Sequence, residues 1–134
     1  MASIDELSGI SVVSARSLRR SRVRTTEALL KRGRTRRGRR QLAEETGLME
    51  RQILQWVNRA DLMRIRGIGG EYADLLEASG VDTVKELRRR NAASLTNKMM
   101  QVNDERKLVR RLPTEGMVAR WISLAAETEP VIKR

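Results

Sequence analysis

Apolar residues return at three- and four-residue spacing along almost the whole chain, and glycine or a capping hydroxyl interrupts them at regular intervals. The clearest stretch places Ala73, Leu75, Leu76 and Ala78 on one face of a helix over 71–79, with Gly80 as its stop. Thr83 followed by Glu86 has the spacing of a capping box and opens a short helix to about residue 90. Upstream, the pattern predicts helices over 12–21 and 25–32, the second stopped by Gly33. A basic helix over 35–46 ends at Gly47, and 49–59 forms a helix bearing Trp56. Downstream, 94–102 and 104–111 read as two helices leading to Pro113. Thr114 then caps a helix to about residue 127, and the tail beyond Pro130 is expected to fray.

The pattern also repeats. A shift of 58 residues places Ile4, Leu7, Gly9, Ile10, Ala15, Leu18, Val23, Thr25 and Leu29 on Leu62, Ile65, Gly67, Ile68, Ala73, Leu76, Val81, Thr83 and Leu87. Later the shift grows to 65, bringing Glu50, Ile53, Trp56 and Val57 onto Glu115, Val118, Trp121 and Ile122. The second copy therefore carries about seven extra residues within 103–112. The predicted organisation is a first unit over 1–60, a second over 61–129 and a tail of 130–134, with neither unit large enough to stand alone.

Composition narrows the class. The 134 residues include no Phe, one Tyr and two Trp, so the core is aliphatic and the fold all-α. Without Cys there is no disulfide framework or thiolate metal site, and without His the commonest general base and metal ligand are missing. The acid pairs Glu44-Glu45 and Asp104-Glu105 diverge around a helix and chelate poorly. No apolar run reaches the ~18–20 residues of a membrane span. The N-terminus carries Asp5 and Glu6 and lacks a basic leader, so no secretory signal is read there. The expectation is a cytoplasmic, non-catalytic protein with no cofactor, no metal, no small-molecule substrate and no membrane partner.

Charge adds a direction. The net charge is +11, and residues 1–40 hold 12 Lys and Arg against 3 acids. Arginine dominates, and its planar fork pairs with phosphate. Residues 31–40 (KRGRTRRGRR) are the densest run, with only Gly and Thr between the basic side chains. Arg34, Arg36, Arg37, Arg39 and Arg40 are thus candidate nucleic-acid contacts, joined by Arg16, Arg19 and Arg20. The same run also reads as a solvated basic loop. Trp56 and Trp121 sit on apolar faces and read as core anchors rather than base-stacking platforms.

The stretch Ile65-Arg66-Gly67-Ile68-Gly69-Gly70-Glu71-Tyr72-Ala73 resembles the helix-hairpin-helix motif of DNA repair and recombination proteins. Together with residues 59–65, 78–87 and 107–111, it makes the whole chain resemble a bacterial domain-of-unknown-function family, DUF4332, built from tandem helix-hairpin-helix units. The resemblance implies two such units, of the SAM-like or polymerase-β N-terminal-like kind, packed as one compact domain. It also implies that the amides of Gly67, Ile68, Gly69 and Gly70 grip DNA phosphates without reading bases, with Arg64 and Arg66 reaching phosphates beside them. Glu71 and Asp74 place negative charge on the first turn behind those glycines. The first copy lacks the second glycine but has Arg16, Arg19 and Arg20 around it. The turn at 67–70 is therefore either a phosphate clamp or a helix–helix connection in a packed repeat. DNA is the expected partner, with a protein-interaction scaffold and RNA as alternatives, and the bacterial cytoplasm or nucleoid as the expected place.

Overall fold

The computed structural model describes residues 2–133, and every regular element among them is helical. A 3₁₀ turn at Ile4–Glu6 precedes α1 (Val12–Arg20), α2 (Thr26–Gly33), α3 (Arg36–Thr46) and α4 (Glu50–Leu62). These are followed by α5 (Gly70–Ala78), α6 (Val84–Leu87), α7 (Ala92–Arg106) and α8 (Glu115–Ala126). The chain divides into two compact units. One runs to Asp61 and takes in the segment from Val131, and the other is Leu62–Pro130.

Local chemistry sets most helix starts. Ser11, Thr25, Thr35, Thr83, Asn91 and Thr114 each sit in extended conformation and accept the backbone N–H three residues on. Each such cap satisfies one of the donors a helix start leaves open. Capping also begins the chain, where Ser3 and Glu6 close a reciprocal capping box over the 3₁₀ turn. An antiparallel bridge pairs Ser3 with Thr25 and ties that turn to the start of α2.

The 58-residue repeat is a repeat of backbone geometry. The spans of α1 and α5 match residue for residue at that shift, and so do the starts of α2 and α6. Gly9 and Gly67 both turn at positive φ, +79° and +99°, and the next N–H closes back three residues in each, Ile10 to Leu7 and Ile68 to Ile65. After α1, Val23 N–H reaches Leu18 O at 2.9 Å and Arg22 N–H reaches Arg19 O. After α5, Val81 reaches Leu76 at 2.9 Å and Gly80 reaches Glu77. Both are Schellman closures, which require a left-handed residue. Gly80 supplies it at φ +94°, and in the first unit Arg22 does so at φ +65°. A non-glycine residue there costs about 1–2 kcal/mol.

The first unit buries Ile4, Leu7, Ala15, Leu18, Val23, Leu29, Leu42, Ile53, Trp56 and Val57. The second buries their counterparts Leu62, Ile65, Ala73, Leu76, Val81, Leu87, Val118 and Trp121, joined by Leu95 and Met99 of α7. Trp121 also packs on Tyr72, with ring centroids 5.2 Å apart.

Several local expectations are corrected. Gly33 does not stop α2 by turning left-handed. It is buried inside the helix, where a Cβ would stand 2.4 Å from the Val57 side chain, so its role is close packing against α4. Residues 92–106 form one helix that runs through Asn103 and ends at the left-handed Lys107, so the expected helix over 104–111 is absent and 107–111 are not helical. The Asn103 side chain bonds both the N–H and the C=O of Val109. At Thr83 only half of the capping box forms, since the Glu86 carboxylate takes the Arg90 guanidinium at 2.9 Å. The segment after Pro130 does not fray through residue 133: Lys133 N–H donates to Arg34 O at 2.7 Å, and Lys133 O accepts from Arg39 at 3.0 Å.

Candidate nucleic-acid interface

In the first unit, inward Ala15 and Leu18 fix the orientation of α1, which leaves Arg16 and Arg20 exposed on its outer face. Arg19 is half-buried and paired with Asp5, so its charge is partly spent within the unit. The elbow between α2 and α3 carries the densest positive charge. Arg34 closes α2 in helical conformation and is exposed, and Thr35 then caps α3 through the Gly38 N–H at 3.1 Å. Arg36, Arg37 and Arg40 are exposed on the first turns of α3, with Arg36 and Arg40 one turn apart on the same face.

No acid lies in the first turn of α3. The amide end of a helix carries partial positive charge, and Arg36 and Arg37 add to it rather than offset it. An anion at this helix start therefore meets no carboxylate within the first turn of α3. The carboxylates nearest in sequence lie further along α3, where Glu45 holds Arg32 at 2.9 Å.

Arg39 leaves the candidate set. It is only 5% exposed, and its guanidinium donates to Gly33 O at 2.8 Å and to Lys133 O at 3.0 Å. Its place in the helix explains this. Arg39 stands four residues after the Thr35 cap, on the face of α3 that also carries buried Leu42.

In the second unit the glycine turn is confirmed as a turn and corrected in detail. Gly67 is exposed at positive φ, and Gly69 caps α5 in extended conformation with no side-chain cap of its own. Ile68 is buried and its N–H is spent on Ile65 O at 3.0 Å, so that amide does not face outward. Arg66 is exposed, whereas Arg64 is half-buried and tied to Glu129 O at 2.9 Å. The turn thus keeps Gly67, Gly69, Gly70 and Arg66 at its surface.

That turn forms one wall of an open cleft of about 390 Å³, and Arg110 and Arg111 line it together with Tyr72, Val109 and Glu71. Sequence reading missed both arginines. They lie in the residues that distinguish the second copy from the first, and two fixtures hold that segment in place. The Asn103 amide grips Val109 from both sides, and the Tyr72 hydroxyl donates to Arg111 O at 2.9 Å. The signal in the sequence was the insertion itself, which brings four basic residues, Arg106, Lys107, Arg110 and Arg111. Positive charge therefore does reach the glycine turn, alongside the acidic Glu71.

Among the described residues no helix is long and apolar enough to cross a membrane. No curated protein and no solved structure matches the chain. A family model does match, over residues 8–128, and its description is "Domain of unknown function (DUF4332)". With nearly its whole length matched, the chain belongs to the DUF4332 family.

Proposed function

We propose that this protein is a non-catalytic, sequence-nonspecific DNA-binding module made of two helix-hairpin-helix units that grip the phosphate backbone. The observation that carries the reading is the α2–α3 elbow, where Arg34, Arg36, Arg37 and Arg40 are exposed beside a capped helix start with no acid in its first turn. Arg16 and Arg20 extend the basic surface of that unit. In the second unit, Gly67, Gly69 and Gly70 together with Arg66, Arg110 and Arg111 make a smaller phosphate site, weakened by Glu71. Contacts of this kind go to phosphates and not to base edges, so they position the protein without selecting sequence.

Anisotropy titration of a labelled 20-bp duplex against salt tests the reading. The expected result is a steep fall of log K with log salt, made shallower by roughly 3 when Arg36, Arg37 and Arg40 are changed together to Gln. Failure of the unaltered protein to bind DNA at ~50 mM salt overturns it. One observation favours a second reading as a protein-interaction platform: Val12 and Val13, at the start of α1, are 74% and 70% exposed. Duplex RNA in the same titration separates the remaining alternative, because charge and backbone contacts alone do not discriminate the two nucleic acids.

A further inference from the structure

The turn between α1 and α2 contains the one described arginine held in left-handed conformation, Arg22 at φ +65°. Its counterpart in the second unit is Gly80, the residue type that this closure favours. The backbone around the two is the same, down to the 2.9 Å bond from Val23 or Val81 back to the preceding helix. What differs is what points outward. Arg20, Arg22 and Arg24 are all exposed and alternate with the half-buried Ser21 and the buried Val23, whereas the matching positions in the second unit hold Ala78, Gly80 and Asp82.

The turn is also held rigid from both sides. Arg32 donates to Ser21 O at 3.2 Å while its other nitrogen holds Glu45. On the far side, Ile4 N–H donates to Arg24 O at 3.1 Å, and the fully buried Val23 pins the centre. Strain held in a rigid frame at a solvent-facing cation points to a role for that cation. A backbone already fixed adds no ordering cost of its own when the side chains on it meet a ligand.

We infer that Arg20, Arg22 and Arg24 form a second phosphate-contact edge of the first unit, distinct from the α2–α3 elbow, with Arg22 at its centre. This rests on the DNA-backbone reading above. The ligand is a run of duplex phosphates, because three guanidinium groups alternating along one turn match a linear array of singly charged anions.

The test uses the same labelled duplex and the full chain. Arg22→Gly removes the charge and gives the turn the residue found in the second unit, so its melting temperature is expected to stay at or above that of the unaltered protein. Its affinity should fall about tenfold at ~50 mM salt, and the log K–log salt slope should become shallower by about 0.9. Arg22→Lys should bind within about twofold of the unaltered protein, since a point charge still reaches phosphate. Arg24→Gln gives a second reading at an unstrained position, with the same direction expected. Unchanged affinity and slope in both Arg22→Gly and Arg24→Gln overturn the inference, as does an Arg22→Lys variant as weak as Arg22→Gly. The triple variant at Arg36, Arg37 and Arg40 runs alongside. If that variant weakens binding and the turn variants do not, this edge alone is refuted; if the unaltered protein does not bind, both readings fall.

Discussion

Four residues after its cap, α3 buries Arg39, and four residues after its cap, α7 buries Leu95. The same contrast recurs at the left-handed closure, where the first unit has Arg22 and the second Gly80. The two units share turns, caps and core positions, yet the first carries arginine at the left-handed closure where the second has glycine, and it buries a further arginine on α3. A buried arginine needs its donors engaged, and Arg39 engages the carbonyls of Gly33 and Lys133. The two units therefore share a local frame, while the first carries more arginine on its surface and one arginine in its interior. The second unit differs by its extra segment, which places Arg110 and Arg111 beside its glycine turn.

The shared frame is tested hardest at its tryptophans. Trp56 and Trp121 occupy equivalent positions and are 4% and 2% exposed. Replacing either with Ala should cost about 3–5 kcal/mol, measured by urea unfolding. The two should differ in local effect. A Cβ on Gly67 would lie 3.0 Å from Trp121 Nε1, so the indole underlies the glycine turn. In Trp121→Ala, amide exchange at Ile68 should rise above what global destabilisation explains. A result in which both variants retain full stability removes the claim that the two units are built on the same core.

The elbow that carries the charge is more tightly packed than its counterpart. A Cβ on Gly38 would meet Arg32 O at 2.0 Å, a backbone atom that cannot swing aside. Gly38→Ala should therefore cost about 1–3 kcal/mol. Ser94 holds the same place in α7, is exposed and donates its N–H to the Asn91 cap, so Ser94→Ala should stay within about 0.5 kcal/mol. Equal midpoints for the two variants in denaturant titration would erase the distinction.

Replacing Arg39 with a buried aliphatic residue, such as the one four residues after the cap of α7, sharpens the comparison further. Arg39→Leu keeps an apolar stem but leaves the carbonyls of Gly33 and Lys133 without this donor. The expected loss is about 2 kcal/mol, with faster exchange of the Lys133 N–H as the segment from Val131 loosens. Duplex affinity should move far less than in the Arg36, Arg37 and Arg40 variant, because a buried guanidinium meets no phosphate. A large fall in affinity without loss of stability would return Arg39 to the interface.

Much of this frame was legible in the sequence because it depends on local rules. Gly67, Gly80 and the hydroxyl caps each act over a few residues, and the 58-residue repeat shows the same marks twice at fixed spacing. The misreadings came where a side chain took a partner other than the one its helix position suggests. Arg39 reads as surface by its charge, and partners that include the carbonyls of Gly33 and Lys133 make its burial tolerable. Asn103 reads as a helix break, but its amide is satisfied six residues on by Val109. Glu86 reads as half of a capping box, yet a charge-assisted bond to Arg90 outcompetes a neutral N–H. Arg110 and Arg111 escaped because an insertion has no counterpart from which to read its position.

The smallest expected effect separates structure from binding at the glycine turn. Ser11 caps α1 with its hydroxyl, and the equivalent Gly69 leaves α5 without a side-chain cap. Gly69 has φ −94° and no atom within 4 Å of where a Cβ would stand, so serine enters without strain. Gly69→Ser should then stabilise the protein by about 0.5–1 kcal/mol, partly through the cap and partly through a less flexible unfolded chain. The new hydroxyl takes the Tyr72 N–H, one of the amides that would otherwise face an anion in the cleft. If phosphate is bound there, stability should rise while duplex affinity falls by about twofold, since one donor of several is withdrawn. A rise in melting temperature with an unchanged salt titration would make the 67–70 turn a purely structural copy of the turn at Gly9 and leave all of the binding to the arginines.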